Sequence, residues 1–245
     1  MKHSIFVYAA LLILAPAAWA GSGVGWGYVG DVGPTHWNTL DAQYATCGSG
    51  KNQSPVNITH AIKADLKPLQ LHYSSSLAEV VNNGHTIQVN VNPGSTVSVE
   101  GETFELKQFH FHSPSENTIQ GKSFPMEAHF VHANKAGQLL VIAAMFESGN
   151  ANTALKQVWN QMTDKAGDKK QLNTKLTAKD YLPGKLAYYR FNGSLTTPPC
   201  TEGVRWYVLK DAVTISADQV SKFKHVMHHN NNRPVQTSNA RVILQ

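Results

Sequence analysis

Phe104-Glu105-Leu106-Lys107-Gln108-Phe109-His110-Phe111-His112 alternates polar and apolar side chains at a period of two, the spacing of an extended strand whose successive side chains point to opposite faces. Uninterrupted alternation puts Phe104, Leu106, Gln108, His110 and His112 on one face and Phe109 and Phe111 on the other. Two imidazoles then project side by side. A buried strand gains nothing from adjacent polar rings unless something binds them, because an unpaired buried polar group costs about 1–3 kcal/mol. Working outward, Met126 to His132 repeats the pattern, with Glu127, His129 and Val131 on one face and Ala128, Phe130 and His132 on the other. If the two segments pair, His110, His112 and His129 converge as three corners of a tetrahedron. A vacant fourth corner is the layout of a catalytic zinc site rather than a structural one. Gln108 and Glu127 each lie two residues before a candidate ligand, where they can accept a ring N–H and fix its tautomer.

Other alternating runs cover Thr86 to Val91, Val97 to Val99, Leu139 to Phe146 and Trp206 to Leu209, and they read as strands. Asn92-Pro93-Gly94, Glu100-Gly101 and Lys135-Ala136-Gly137 break the chain between runs, and connections this short favour antiparallel neighbours. Helical spacing is confined to Leu155, Val158, Trp159 and Met162, and to a run beginning at Ser216 and Gln219, which resemble a capping box. Residues 21–60 lack periodicity and read as an irregular wrap over a core formed later in the chain. The expected fold is α+β and β-dominated: a large central, mainly antiparallel twisted sheet with short peripheral helices.

Lys2, the apolar run Ile5 to Leu14 and Ala18-Trp19-Ala20 have the layout of a cleavable secretory signal. Residues 1–20 are therefore set apart from a single domain over 21–245. The apolar run, about ten residues, is half of the roughly 20 needed to span a bilayer, so no membrane insertion is expected once the signal is cleaved. The chain carries 21 Lys+Arg against 16 Asp+Glu, a formal +5, and removing Lys2 lowers this by one. These charges are scattered, without a basic block, which argues against nucleic acid as a partner. Cys47 and Cys200 are the only cysteines, and in the oxidising compartment of an exported protein such a pair is expected to be bridged.

Gln108-Phe109-His110-Phe111-His112-Ser113-Pro114-Ser115-Glu116, Met126-Glu127-Ala128-His129-Phe130-Val131-His132 and Ser194-Leu195-Thr196-Thr197-Pro198-Pro199-Cys200 closely resemble the signature segments of α-class carbonic anhydrases. Trp26-Gly27-Tyr28, Asn52-Gln53-Ser54-Pro55, Asn82-Asn83-Gly84-His85 and Asn232-Arg233-Pro234 extend the resemblance over nearly all of 21–245. The Ser-Pro-Ser-Glu turn and the cysteine pair resemble the bacterial secreted branch, which implies a periplasmic or secreted location.

The resemblance implies reversible hydration of carbon dioxide to bicarbonate and a proton by hydroxide held on one zinc ion per chain. His110, His112 and His129 match the zinc ligands. Thr196 matches the residue that accepts a hydrogen bond from the hydroxide and donates its own proton to Glu116. Val131, Val141, Leu195, Thr197 and Trp206 match the substrate pocket, and His85 matches the proton shuttle, a role suited to a side chain titrating near neutrality. Tyr28, Asn83 and Gln88 match residues that order the water path, with Gln88 where asparagine is common. Ser113 and Asn117 stand where many animal members have tryptophan and histidine, departures that bear on pocket shape rather than on the reaction. The implied partners are carbon dioxide, water and bicarbonate, and a homodimer is the assembly common among bacterial relatives. A non-catalytic relative of the same fold normally lacks a zinc histidine, and a zinc carrier needs neither Thr196, Glu116 nor His85. Zinc-dependent esterase chemistry at the same site is a plausible side activity.

Overall fold

The computed structural model describes residues 25–245, and the expected signal segment 1–20 lies outside the described residues. In chain order the strands are β1 (Asn57–Ile58), β2 (Gln70–His72), β3 (Leu77–Asn82), β4 (Ile87–Val91), β5 (Thr96–Val99), β6 (Glu102–His112), β7 (Thr118–Ile119), β8 (Met126–Ala133), β9 (Leu139–Ser148), β10 (Lys169–Gln171), β11 (Tyr188–Ser194), β12 (Glu202–Leu209) and β13 (Val213–Ile215). One 11-stranded sheet runs β10-β3-β4-β6-β8-β9-β12-β11, with β13 joined to β9 and the β2-β5 pair joined to β6. Only the pairings of β9 with β12 and with β13 are parallel in it. β1 and β7 form a separate parallel pair. The expected architecture is present, as a mixed sheet dominated by antiparallel neighbours.

Local chemistry explains the hairpins at its centre. Glu100 and Gly101 connect β5 to β6 with φ of 53° and 80°, the pair of left-handed residues that matches the twist of adjoining strands. Between β8 and β9, Asn134 Oδ1 accepts the N–H groups of Ala136 and Gln138 at 3.0 and 2.9 Å, and Gly137 takes a positive φ of 78°. These turns fix the register that the site depends on.

One expectation about β6 requires correction. Leu106 faces His132 while Gln108 faces Val131, so Lys107 is an extra residue, and this bulge changes the phase of the alternation. Phe104 and Leu106 therefore join Phe109, Phe111 and Phe130 in the main core, not the face that carries Gln108, His110 and His112. The histidines themselves keep their expected face because the bulge precedes them.

Of the four α-helices among the described residues, α1 (Trp37–Leu40) and α2 (Thr46–Ser49) belong to the N-terminal segment, and the other two cover the aromatic face of the sheet. Leu155, Val158 and Trp159 are buried on α3 (Thr153–Trp159), and Met162 follows its end, packed against the same core. The helix here named α4 (Ala217–Met227) starts with the expected reciprocal capping box between Ser216 and Gln219. Gln219 also exchanges hydrogen bonds of 2.8 and 2.7 Å with the backbone of Asn152, the N-cap of α3, tying the two helix starts together. Trp159 meets Phe111 edge-on at 4.9 Å and stacks on Phe223 at 5.8 Å, so the side of β6 opposite the histidines is sealed by aromatic packing.

Residues 25–60 wrap the other end through short helices and turns. Their own cluster joins Tyr28, Trp37, Tyr44, Cys47 and Cys200, and Cys47 is bridged to Cys200 across 153 residues. Among the described residues no helix is long and apolar enough to cross a membrane.

Candidate metal centre

The sheet register lines up the site as two adjacent cross-strand rows. In one row Gln88 on β4 faces His110, which faces His129, which faces Ala143 on β9. In the next row Gln108 faces Val131, which faces Val141, which faces Trp206 on β12. Polar side chains and the candidate metal ligands thus occupy the β4-β6-β8 side, and an apolar strip begins at β8.

One nitrogen from each of His110, His112 and His129 lies within 4.8 Å of the other two. Each ring has an oxygen against one of its two nitrogens. His110 Nδ1 donates to Gln108 Oε1 at 2.8 Å, and His112 Nδ1 donates to the carbonyl of Asn231 at 2.7 Å. Glu127 Oε1 lies 3.0 Å from His129 Nε2, a close polar contact without the alignment of a formal hydrogen bond. The nitrogens left over are His110 Nε2, His112 Nε2 and His129 Nδ1, and in neutral rings these carry lone pairs. His112 Nε2 is buried with no hydrogen-bond partner, an arrangement that costs free energy unless a ligand uses that lone pair. Burial holds all of these imidazoles below the usual histidine range, and the rings' mutual repulsion lowers His110 and His129 further. Neutral, convergent and soft enough for a borderline cation, the donor set fits a divalent ion such as zinc.

The surrounding polar groups lock together. Glu127 Oε2 accepts the N–H groups of Glu116 and Asn117 at 2.7 and 2.8 Å, and its Oε1 accepts Asn117 Nδ2 at 2.7 Å. Asn117 Oδ1 in turn accepts Val56 N–H at 3.0 Å, so this departure from the animal pattern supplies its own anchoring. Glu116 Oε1 accepts Arg233 N–H at 2.8 Å, while its Oε2 is buried without a partner, 3.5 Å from His112 Nε2 and 3.8 Å from His129 Nδ1. Burial pushes Glu116 up to about 8, against the opposing pull of Arg233 N–H and of the nearby Thr196 hydroxyl. That hydroxyl favours the charged carboxylate without meeting the geometry of a formal hydrogen bond. Arg233 donates to Gln53 Oε1, Ser54 O and Cys47 O at 2.9, 2.7 and 2.8 Å, which carries the constraint on Glu116 into the disulfide-linked segment.

Val141 and Trp206 are buried in the second core cluster, with Val131 and Leu195 packed against it. The Trp206 indole meets the His129 ring edge-on at 4.9 Å, so the apolar strip borders the imidazole trio. Thr197, half-buried, follows Thr196 in the loop that Cys200 closes through its N–H to Thr197 O at 2.8 Å. Asn83 Oδ1 accepts the N–H groups of His85 and Thr86, each at 2.9 Å, and Asn83 Nδ2 reaches Gln88 Oε1 at 3.4 Å. Tyr28 is buried near enough to Glu116 for that carboxylate, after burial itself, to raise its pKa. Sequence reading missed the carbonyl of Asn231, the amide of Asn117 and the guanidinium of Arg233. A backbone carbonyl leaves no mark in side-chain periodicity, and the Asn-Arg-Pro motif shows no role until the chain is folded.

Fold and site together define a β-sheet protein with a three-histidine centre bordered on one side by an apolar strip. Residues 32–245 match the family model described as eukaryotic-type carbonic anhydrase. A carbonic anhydrase of Pectobacterium carotovorum is 50% identical over 244 residues, covering 100% of both chains. One from Neisseria gonorrhoeae is 49% identical over 96% of this chain and 95% of the relative. The α-carbonic anhydrase of Thermovibrio ammonificans, solved with the inhibitor sulfanilamide, superposes with a TM-score of 0.89 at 48% identity, covering 91% of this chain and 100% of that one. This chain belongs to the α-carbonic anhydrase family, as an enzyme of that family.

Proposed function

We propose that this enzyme interconverts carbon dioxide and bicarbonate at one zinc ion held by His110, His112 and His129. The observation that carries the reading is that an oxygen of Gln108, Asn231 or Glu127 lies against one nitrogen of each imidazole, while one nitrogen of each ring lies within 4.8 Å of the other two. When bound there, zinc lowers the pKa of coordinated water to about 7 and makes it nucleophilic near neutral pH. Gln108, Glu127 and the Asn231 carbonyl hold the ligand rings in the required tautomers. A cation in the trio favours the charged form of Glu116, which then accepts the Thr196 hydroxyl proton. Thr196 Oγ1 is left able only to accept, and it thereby selects a protonated group beside it.

Carbon dioxide offers no charge to grip, so its expected place is the strip formed by Val131, Val141, Leu195 and Trp206, with Thr197 at the rim. His85 takes up the proton released in each turnover, along water ordered by Tyr28, Asn83 and Gln88. Burial holds His85 below its ordinary value, which eases release of that proton again at neutral pH. We place the enzyme outside the cytoplasm, periplasmic or secreted, with residues 1–20 as the cleaved signal, and as a homodimer. The disulfide and the lack of a membrane-crossing helix among the described residues are in keeping with export.

The deciding experiment is stopped-flow hydration of carbon dioxide by the mature enzyme before and after chelation of zinc. Activity should vanish on chelation and return with one equivalent of zinc per chain. Undiminished hydration in the metal-free protein would sink the reading.

A further inference from the structure

The turn that carries His85 is joined to the segment following α4. Asn231 Nδ2 donates to His85 O at 3.1 Å and to Phe111 O at 2.8 Å, while Asn231 Oδ1 accepts Ser113 N–H at 2.8 Å. The same residue's carbonyl holds His112, so this segment is fixed to the metal centre and to the His85 turn at once. His228 ends α4 in the left-handed conformation, φ 62°, and reverses the chain toward this junction. His229, half-buried, is thereby held with its ring 5.9 Å from that of Tyr28. Tyr28 lies 5.6 Å from Trp26, on which the His85 ring is stacked flat at 3.8 Å. Two imidazoles from distant parts of the sequence share one aromatic patch at the edge of the site.

We propose that His229 is the outer of two coupled proton carriers, receiving from His85 the proton leaving the active site and delivering it to buffer. The inference rests on the reading of His85 as the inner carrier. His85 gains a proton from ordered water and becomes an imidazolium. It then passes one proton by way of bridging water to His229 and returns to the neutral ring, and His229 gives its proton to a buffer base. Burial first, and then the proximity of His229, lower the affinity of His85 for its proton, which favours onward transfer. Other titratable groups near the patch are Tyr28, itself acted on by Glu116, Lys224, His225 and His228 at the end of α4, and Lys165 and Asp168 on the loop whose backbone bonds Asn82 at the foot of the turn. Of these, Lys165 and Asp168 lie 3.9 Å apart and offset each other.

The test compares His229→Gln, His85→Ala and the double variant, all as zinc-loaded enzymes. In weak buffer His229→Gln should lower kcat roughly 3- to 10-fold, less than the 10²–10⁴ of a group acting directly on the reactant. Its kcat/KM for carbon dioxide should hold, and added imidazole should restore kcat. The double variant should be no slower than His85→Ala, because His229 acts through His85. By NMR titration, removing His229 should raise the pKa of His85, and rescue of kcat by imidazole separates proton transfer from a packing role. An unchanged kcat in His229→Gln, an equal fall in kcat and kcat/KM, or multiplying effects in the double variant each overturn the inference. If His85→Ala itself leaves kcat in weak buffer unchanged, the reading of His85 fails first and takes this inference with it.

Discussion

His129 and His132 are three residues apart on β8, both buried, and on opposite faces of the sheet. The protein satisfies His132 completely: its Nδ1 is 3.2 Å from Leu140 O and its Nε2 is 2.5 Å from Tyr73 OH. His129 instead has Glu127 on one side and, on the other, two further imidazoles and an unpartnered carboxylate oxygen. Burial alone does not make a histidine a ligand. What separates the two is whether the fold spends both ring nitrogens or leaves one lone pair aimed at a shared point.

The strongest way to break this comparison is to remove a member of the trio. His112→Ala should lower zinc affinity by more than the 10–100-fold typical of losing an outer-shell partner, with metal analysis after dialysis as the check. A variant that keeps one zinc per chain would put His112 outside the site. His132→Gln should leave zinc stoichiometry unchanged.

Proton linkage sharpens the contrast further. Burial pulls His132 down to about 4, against about 6.5 for an unfolded histidine. A depressed folded-state pKa means that the unfolded chain binds the proton more tightly. The contribution of His132 to stability is thus complete above about pH 6.5, is lost as pH falls toward 4, and is flat below. Its size is roughly 3 kcal/mol. Denaturant unfolding of metal-free protein from pH 7 to 4 should therefore show a loss that is smaller by about that amount in His132→Gln. Identical pH profiles for the two proteins would remove His132 from the account.

Smaller effects probe the partners. Glu127→Gln should weaken zinc binding about 10- to 100-fold while the fold is retained, as read by competition with a chelator. Tyr73→Phe removes one partner of His132 and should cost about 1–3 kcal/mol of stability with no change in zinc affinity. A zinc effect in Tyr73→Phe comparable to that in Glu127→Gln would erase the distinction between the two faces.

Much of this contrast is legible in the sequence, because it lies within single strands. Alternation alone separates His129 from His132 and pairs Gln108 with His110 and Glu127 with His129. The strand runs at β4, β5, β6, β8, β9 and β12 follow from the same pattern. Lys107 escapes it, since a bulge depends on what the partner strand does, and its omission misplaced Phe104 and Leu106. β3, β10 and β11 carry no clean alternation: Tyr188 to Ser194, for example, reads Tyr-Tyr-Arg-Phe-Asn-Gly-Ser. The parallel pairing of β9 with β12 is also illegible, because a long connection separates them and no turn residue fixes the register.

By itself the sequence determined which side chains share a strand face, and hence the three candidate ligands and two of the groups set beside them. The reason is local: a strand's side-chain period is set by backbone geometry. Tertiary structure alone decided that His129 comes opposite His110 rather than one residue along, that the Asn231 carbonyl turns His112, and that His229 comes to rest in the same patch as His85. Those outcomes depend on strand register and chain reversal between distant segments, such as the 146 residues that separate Asn231 from His85. No short-range pattern encodes such meetings, because they are selected by the packing of the whole core.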